Sequence, residues 1–221
     1  MTYDFSSEEQ CKLACAKNGH NLEYVEQQTY ELCKIACAQN GYALQHVLHQ
    51  TEELCKIACA QNGRALQHVK QQTEEICKIA CAHNGRALQH VQNQTEDICK
   101  IACAQNGPAL LYVEHQTLDI CKIACAQNGC VLYYVKEQTK DICKIACAQN
   151  EHALLYCIHI TAECFALVSK DCLKEIYKQM TQYKRLRIRE LAITRANWNV
   201  FVNGTRNMLC ADIYDHIKLF L

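Results

Sequence analysis

Apolar and polar positions recur along this chain with a period of 22 residues, and the period is unbroken over residues 7–160. The copy at residues 51–72 reads TEELCKIACAQNGRALQHVKQQ. Its apolar residues Leu54, Ile57 and Ala58 lie at spacings i, i+3 and i+4, which predicts an amphipathic helix, here called helix A. Seven such helices are therefore predicted, one in each of the copies that begin at Ser7, Thr29, Thr51, Thr73, Thr95, Thr117 and Thr139.

Each copy also carries residues that are typical of helix ends. Thr51 is followed by two glutamates, a pattern that predicts an N-cap with acids in the first helical turn. Asn62-Gly63 is predicted to end helix A, because glycine readily takes the left-handed conformation that closes many helices. A second and shorter helix, helix B, follows in this prediction, with Leu66 and Val69 on its inner side.

A single copy is too short to bury a core of its own, since ordering 22 residues costs more free energy than its few apolar side chains return. Adjacent copies must therefore cover one another, as they do in repeat proteins. The prediction is an all-α fold, an α-solenoid of short helix-turn-helix repeats. Residues 1–160 form this seven-copy domain, with the repeats at 7–160, and residues 161–221 hold a degenerate repeat and a basic helical C-terminal cap.

The charge and hydropathy of the whole chain exclude several classes of partner. Lys plus Arg and Asp plus Glu each number 23, so the net charge is zero and no long-range field attracts nucleic acid. No apolar run approaches the roughly 18 residues of a membrane span. The first ten residues also lack the basic and apolar pattern of a signal peptide. The expected partner is therefore another protein, and neither a membrane nor a nucleic acid is expected.

Nineteen cysteines stand out in the composition, and fourteen of them form pairs at the spacing C-x3-C in helix A. Burial is the favoured interpretation, because free cysteine packs as a small hydrophobe and stacked helices lie too far apart to be bridged by a disulfide. Zinc sites use closer pairs such as C-x2-C from two loops, so no metal or cofactor is expected. A thiol row for a soft ion such as Cu(I) is the alternative. The pairs are Cys11/Cys15, Cys33/Cys37, Cys55/Cys59, Cys77/Cys81, Cys99/Cys103, Cys121/Cys125 and Cys143/Cys147.

Two other rows of polar residues run through the copies. Each lysine of helix A has an acid three residues before it, as Lys78 has Glu75, which predicts a paired and solvated face in preference to a phosphate-binding row. One position of helix B holds either histidine, as at His68, or tyrosine, and predicts half-buried aromatic spacers rather than a metal or proton relay. A cysteine in every copy does not mark a single nucleophile, and no base repeats beside it with a distinct partner. The protein is therefore not expected to be an enzyme.

The positions that vary most between copies lie in helix B, and they predict a binding surface. At about 100° per residue these positions fall on one arc, opposite the inner side chains. The arc is polar in the first four copies and becomes apolar in the last three, where a protein partner or the C-terminal segment must cover it. The predicted contact residues are Arg64, Arg86, Leu111, Tyr133, Leu155 and Ile158.

Three fragments of the repeat, Gln-Thr-Glu-Glu-Leu-Cys, Asn-Gly-x-Ala-Leu and Val-x-x-Gln-Thr, occur together in residues 7–160. In this combination the chain resembles a helical repeat family of unknown function that is frequent in giant DNA viruses of amoebae. The resemblance implies helical repeats and a viral origin. The thiols imply a reducing compartment, which for a viral protein is the host cytoplasm, with the virion as a second location. The family brings no catalytic residues to this chain.

The residues after 160 depart from the repeat. Residues 170–206 hold nine basic and three acidic residues, which favours a cap on the solenoid over a nucleic-acid contact by the helix predicted at 183–195. Residues 209–221 resemble the first helix of an F-box, as found at the C-termini of poxvirus ankyrin proteins, although Cys210 stands where that family has proline. A plain amphipathic end helix explains the same residues.

Three functions are compatible with these features, and the first is favoured. A non-enzymatic viral scaffold that mediates protein–protein contacts, with a role as a virion or minor capsid component, rests on the helix B arc. A host-directed ubiquitin-ligase adaptor rests on the F-box-like residues 209–221. A thiol- or metal-binding protein rests on the cysteine pairs.

Overall fold

The computed structural model describes residues 7–180, and every regular element in this range is helical. The prediction of an all-α repeat solenoid is confirmed. Each copy contributes one α-helix of 10 residues and one 3-10 helix of 6 residues. The α-helices are α1 (Glu8–Lys17), α2 (Tyr30–Gln39), α3 (Glu52–Gln61), α4 (Glu74–His83), α5 (Glu96–Gln105), α6 (Leu118–Gln127), α7 (Lys140–Gln149), α8 (Ala162–Ala166) and α9 (Lys170–Gln179). The 3-10 helices are η1 (Gly19–Tyr24), η2 (Gly41–His46), η3 (Gly63–His68), η4 (Gly85–His90), η5 (Gly107–Tyr112), η6 (Gly129–Tyr134) and η7 (Glu151–Tyr156).

The α-helices of the copies begin where the sequence predicts. In the third copy Thr51 is extended, and its Oγ1 accepts a hydrogen bond from the Leu54 N–H at 3.3 Å. The same bond recurs in the other copies, and the acids of the first turn lie at the positive end of the helix dipole. Each α-helix is therefore held to one starting residue within the period.

The α-helices do not end as the sequence predicts, because no left-handed glycine closes them. Asn62 is the C-cap of α3 and is extended, with φ −150° and ψ 109°. Its N–H donates to the Ala58 carbonyl at 2.9 Å, while its side-chain oxygen accepts from the Arg64 N–H at 3.0 Å. Asn62 is thus both the C-cap of α3 and the N-cap of η3. Gly63 has no left-handed φ, so the prediction for this residue was wrong.

The glycine is needed for a different reason, which is the close approach of the next copy. A Cβ atom on Gly63 would lie 2.3 Å from the carbonyl oxygen of Ala80 in α4. The equivalent distances at Gly19, Gly41 and Gly85 are 2.3 to 2.4 Å. Glycine therefore lets two copies meet through backbone atoms.

Helix B is a 3-10 helix and not an α-helix. Residues three apart are eclipsed in this geometry, so the exposed side chains of Arg64 and Gln67 lie directly above one another. The predicted arc is therefore correct, although about 120° per residue and not 100° produces it. Leu66 is fully buried on the inner side, and Val69 follows it into the core.

The buried face of each α-helix contains fewer residues than the sequence pattern predicts. Leu54, Cys55, Ala58 and Cys59 are all buried on one face of α3. Ile57 is only half-buried, because about 100° per residue places it at the margin of the face that those four residues define. The isoleucine at this position therefore covers the edge of the core.

The chain is divided into two compact units, Met1–Gln127 and Asn128–Leu221. In the first unit each α-helix packs on the next from α1 to α6, and in the second α7 packs on η6, η7 and α8. The predicted boundary at residue 160 is not tested by this division. The basic helix at 183–195 and the F-box-like residues 209–221 lie outside the described residues.

Two further helices, α8 and α9, follow the seventh copy. Helix α8 has only 5 residues, and α9 packs on η7. Glu151 stands at the position that glycine occupies in the six copies before it. Its carboxylate accepts hydrogen bonds from the Ser169 N–H at 3.0 Å and from the Ser169 hydroxyl at 2.6 Å. A side chain fits here because the helix that would approach this position has already ended.

We predict that Gly63→Ala destabilises the protein by about 1 to 3 kcal/mol, the usual cost of an overpacked site. The added methyl group would press on a backbone carbonyl of α4, which cannot move without shifting its helix. The matched control is Glu151→Ala, which places alanine at the same position of the last copy and loses only the hydrogen bonds to Ser169. Chemical denaturation followed by circular dichroism measures both. Equal losses in the two variants would contradict the close-approach explanation.

We predict that Ile76→Ala in the fourth copy costs about 2 to 5 kcal/mol of unfolding free energy, as expected for truncation of a fully buried side chain. Ile79→Ala should cost clearly less, because Ile79 is half-buried like its counterparts. Lys78→Ala serves as the surface control in the same helix. Equal costs for the two isoleucines would show that the inner face of α4 is assigned incorrectly.

Candidate binding surface

A row of glutamines holds the outer 3-10 helices in register. The side-chain amide of Gln50 donates to the His68 carbonyl at 2.9 Å, and its oxygen accepts from the Lys70 N–H at 3.0 Å. The same oxygen is 3.8 Å from the Cys55 sulfur. One half-buried side chain therefore joins the end of its own copy to the 3-10 helix of the next. We call the glutamines that make these bonds the glutamine clamps; they are Gln28, Gln50, Gln72, Gln94 and Gln138.

The sequence reasoning missed the role of the glutamine clamps. The available signal was a glutamine in the last position of the first six copies, directly before the N-cap. A residue type that never varies in a half-exposed position indicates a specific hydrogen bond. In the seventh copy Ile160 takes this place and is buried. The hydrogen bonds between a glutamine side chain and the backbone of the next copy thus end where the regular repeat ends.

Exposed aromatic side chains gather on the 3-10 helices of the second unit. The ring of Tyr133 makes edge-to-face contacts with Tyr134, at a centroid distance of 5.2 Å, and with Tyr156 of the next copy, at 5.6 Å. Tyr133 is 67% exposed and Tyr134 is 39% exposed. Ile158, two residues after Tyr156, is 63% exposed. We call these four residues the aromatic patch.

The structure brings some of the predicted apolar contact residues together. Tyr133 and Ile158 belong to the aromatic patch, whereas Leu155 on η7 is half-buried and contributes less exposed area. Leu111 lies on η5 in the first unit and is 57% exposed. Tyr134 was predicted to be a half-buried spacer, but its larger exposure places it in the patch.

The two predicted basic contact residues lie on neighbouring 3-10 helices of the first unit. Arg64 on η3 and Arg86 on η4 are both exposed. Beside them His68 and His90 are half-buried, as the sequence predicts. Burial lowers the pKa of both imidazoles, and the positive charge of Arg64 lowers the pKa of His90 further. These histidines are therefore neutral at pH 7, and the arginines carry the positive charge.

Lys34 pairs with its predicted partner Glu31 at 3.8 Å, but for Lys12, Lys56, Lys78 and Lys100 the nearest acid lies four residues earlier and not three. Lys78 lies 2.8 Å from Glu74, four residues earlier, and its second partner is Asp97 of the next copy at 3.5 Å. A pair at i, i+4 matches the helical turn better than the predicted pair at i, i+3. The predicted pairing of Lys78 is confirmed, although its side chain is half-buried and not fully exposed.

Buried cysteines line the contacts between copies. In the second to seventh copies the first cysteine of the pair donates its S–H to the glutamine that ends the preceding copy, as Cys77 does to Gln72 at 3.5 Å. The second is more deeply buried, and burial raises the pKa of Cys59 and Cys81 to about 12 from an ordinary 9.0. Every cysteine in residues 7–180 is a free thiol. Within the same range, His, Cys, Asp and Glu side chains form no group of three or more that could hold a metal ion.

Thiols cluster where the seventh copy meets α8. Cys157 replaces the core valine of earlier copies, and Cys164 replaces the core leucine or isoleucine of α-helices two to seven. The sulfur atoms of Cys147 and Cys157 are 3.6 Å apart, and both residues are buried. Hydrogen bonds from Cys147 and Cys157 lower the pKa of the Cys164 thiol. This end of the repeat therefore differs chemically from the regular cysteine row.

We predict that alkali weakens the fold through the second cysteine of each pair. The pKa of Cys59 rises from 9.0 to about 12 on folding, so the unfolded chain loses the thiol proton first. Stability should therefore be complete below about pH 9 and fall as the pH rises from about 9 toward 12. Cys59→Ala should reduce this slope, whereas Gln67→Ala, at an exposed position and without an ionisable group, should not. Denaturation midpoints at several pH values measure the effect, and equal slopes in all three proteins would contradict it.

None of the helices described in residues 7–180 is both long enough and apolar enough to cross a membrane. Comparisons of the chain with protein-family models, with curated proteins and with solved structures gave no match. The resemblance to the repeat family of giant amoebal viruses therefore stays a prediction.

Proposed function

We propose that this protein is a non-enzymatic helical-repeat scaffold that binds protein partners through the outer surfaces of its 3-10 helices. The observation that carries the proposal is the aromatic patch of Tyr133, Tyr134, Tyr156 and Ile158. The α-helices supply the core and a row of paired charges, while the 3-10 helices carry the side chains that vary between copies. This separation is typical of repeat proteins, whose scaffold is constant and whose binding surface changes from copy to copy.

Large exposed aromatic rings are the side chains that most often dominate protein interfaces. The contacts of Tyr133 with Tyr134 and Tyr156 hold the three rings in fixed relative positions. Such rings lose little conformational freedom when a partner covers them. Ile158 extends the apolar area on the same copy, and its N–H is held by the clamp residue Gln138 at 2.9 Å. The patch is therefore a cluster of contacting rings beside a backbone position that a hydrogen bond holds.

The viral setting is a further part of the proposal, and it rests on the resemblance of the repeat. We propose that the scaffold acts in the host cytoplasm or as a minor structural component of the virion. The adaptor alternative depends on residues 209–221. Proteomics of purified particles, together with affinity capture from infected cells, would separate these settings, because a virion component copurifies with capsid proteins and an adaptor with ligase subunits.

We predict that Tyr133→Glu combined with Ile158→Glu removes partner binding and leaves the fold intact. Both side chains are exposed, so the charges do not enter the core. A photo-crosslinking phenylalanine analogue placed at Tyr134, followed by mass spectrometry, would identify what contacts the patch in each protein. Loss of the crosslinked partner with an unchanged helical spectrum is the expected result.

The matched control is Leu48→Glu, which is also exposed and occupies in the second copy the position that Ile158 has in the seventh. It should leave the crosslinked partner unchanged. If Leu48→Glu and the double variant lose the partner equally, the aromatic patch is not the contact. A crosslink only to a second copy of this chain would change the proposal from partner binding to self-association.

A further inference from the structure

Charges in the second to fourth copies are separated between the two kinds of helix. The segments that hold the 3-10 helices, residues 41–50, 63–72 and 85–94, contain no aspartate or glutamate. The acids of these copies lie in the first turns of the α-helices, where lysines pair with them, as Lys56 does with Glu52 at 2.9 Å. The outer surface of the three 3-10 helices is therefore polar or cationic, without an acid of its own.

Three cations project from this surface in the third and fourth copies. Arg64 and Arg86 occupy the same position in successive copies, and within residues 7–180 neither takes part in an ion pair. Lys70 lies at the end of the same row, with its ammonium 3.4 Å from the Leu48 carbonyl. An exposed guanidinium offers several N–H donors in a planar fork that suits a carboxylate.

The repeat also fixes the spacing of these charges. Helix η2 packs on η3 and η3 on η4, and packed helices lie about 8 to 10 Å apart. A peptide in the polyproline II conformation advances about 3.1 Å per residue and returns to the same face every three residues, so three of its residues match one copy. Gln67 and Gln89 are exposed between the arginines and can bind the backbone of a peptide lying along the row.

We propose that the surface formed by Arg64, Gln67, Lys70, Arg86 and Gln89 binds an acidic peptide in the polyproline II conformation, with carboxylates at every third residue. It is a second binding surface, in the first unit, and it does not depend on the aromatic patch. Nucleic acid fits less well, because the three cations are few beside the phosphate contacts of nucleic-acid-binding proteins and the net charge of the chain is zero.

The test uses a fluorescein-labelled peptide of about 12 residues with glutamate at every third position, and fluorescence anisotropy at low salt. The full chain should bind it saturably, and more tightly than a peptide of the same composition with its glutamates grouped at one end. Arg64→Glu combined with Arg86→Glu should weaken binding about tenfold or more, since each reversal replaces an attraction by a repulsion. Added salt should also weaken binding.

The charge-matched control is Lys34→Glu combined with Lys140→Glu, at exposed positions on α2 and α7. It changes the net charge of the chain by the same amount as the double arginine variant, and it should leave the affinity for the spaced peptide unchanged. Tyr133→Glu combined with Ile158→Glu should also leave it unchanged, which separates this proposal from the aromatic patch. Equal weakening by the control, no preference for the spaced peptide, or tighter binding of a single-stranded oligonucleotide of similar length would overturn the proposal.

Discussion

Contact between copies through backbone atoms is the constraint on which the rest of this structure depends. At Gly63 no side chain fits between η3 and the Ala80 carbonyl. The Gly63 N–H also donates across the same junction, to the His83 side chain at 3.2 Å. Together with the clamp Gln50, these bonds fix each copy against the next at several points along its length. An insertion of one residue would break them all, which explains why the period is kept without exception.

The helical repeat and the starting residues of the α-helices could be predicted from the sequence, because N-caps such as Thr51 and apolar spacing are local signals. The conformation of helix B could not be predicted, because its end at His68 and the following Lys70 are held by Gln50 of the preceding copy, a contact that is not visible in the local sequence. The role of Gly63 was misread for a similar reason. The local sequence Asn-Gly is the same whether glycine is required for a left-handed φ or because no side chain fits at that position.

The candidate surface was predicted in part. Exposure of Tyr133 and Ile158 follows from their place in the period, so sequence spacing was sufficient for them. Tyr134 was predicted to be a half-buried spacer because histidine and tyrosine alternate at its position, and only the structure shows its larger exposure and its contact with Tyr133. The separation of charge around Arg64 is visible in the sequence only after the two helices of a copy are known to face opposite ways.

Glutamate stands in place of glycine at residue 151, and this makes the carboxyl end of the repeat different from its interior junctions. A further copy could not stack on η7 without meeting that side chain, so the carboxyl end is closed to extension, whereas the preceding junctions are interchangeable. Unequal recombination within the gene would add or delete whole copies in the interior and preserve both ends. The number of copies, and with it the length of the binding surface, is thus free to change by steps of 22 residues while the terminal structure stays the same.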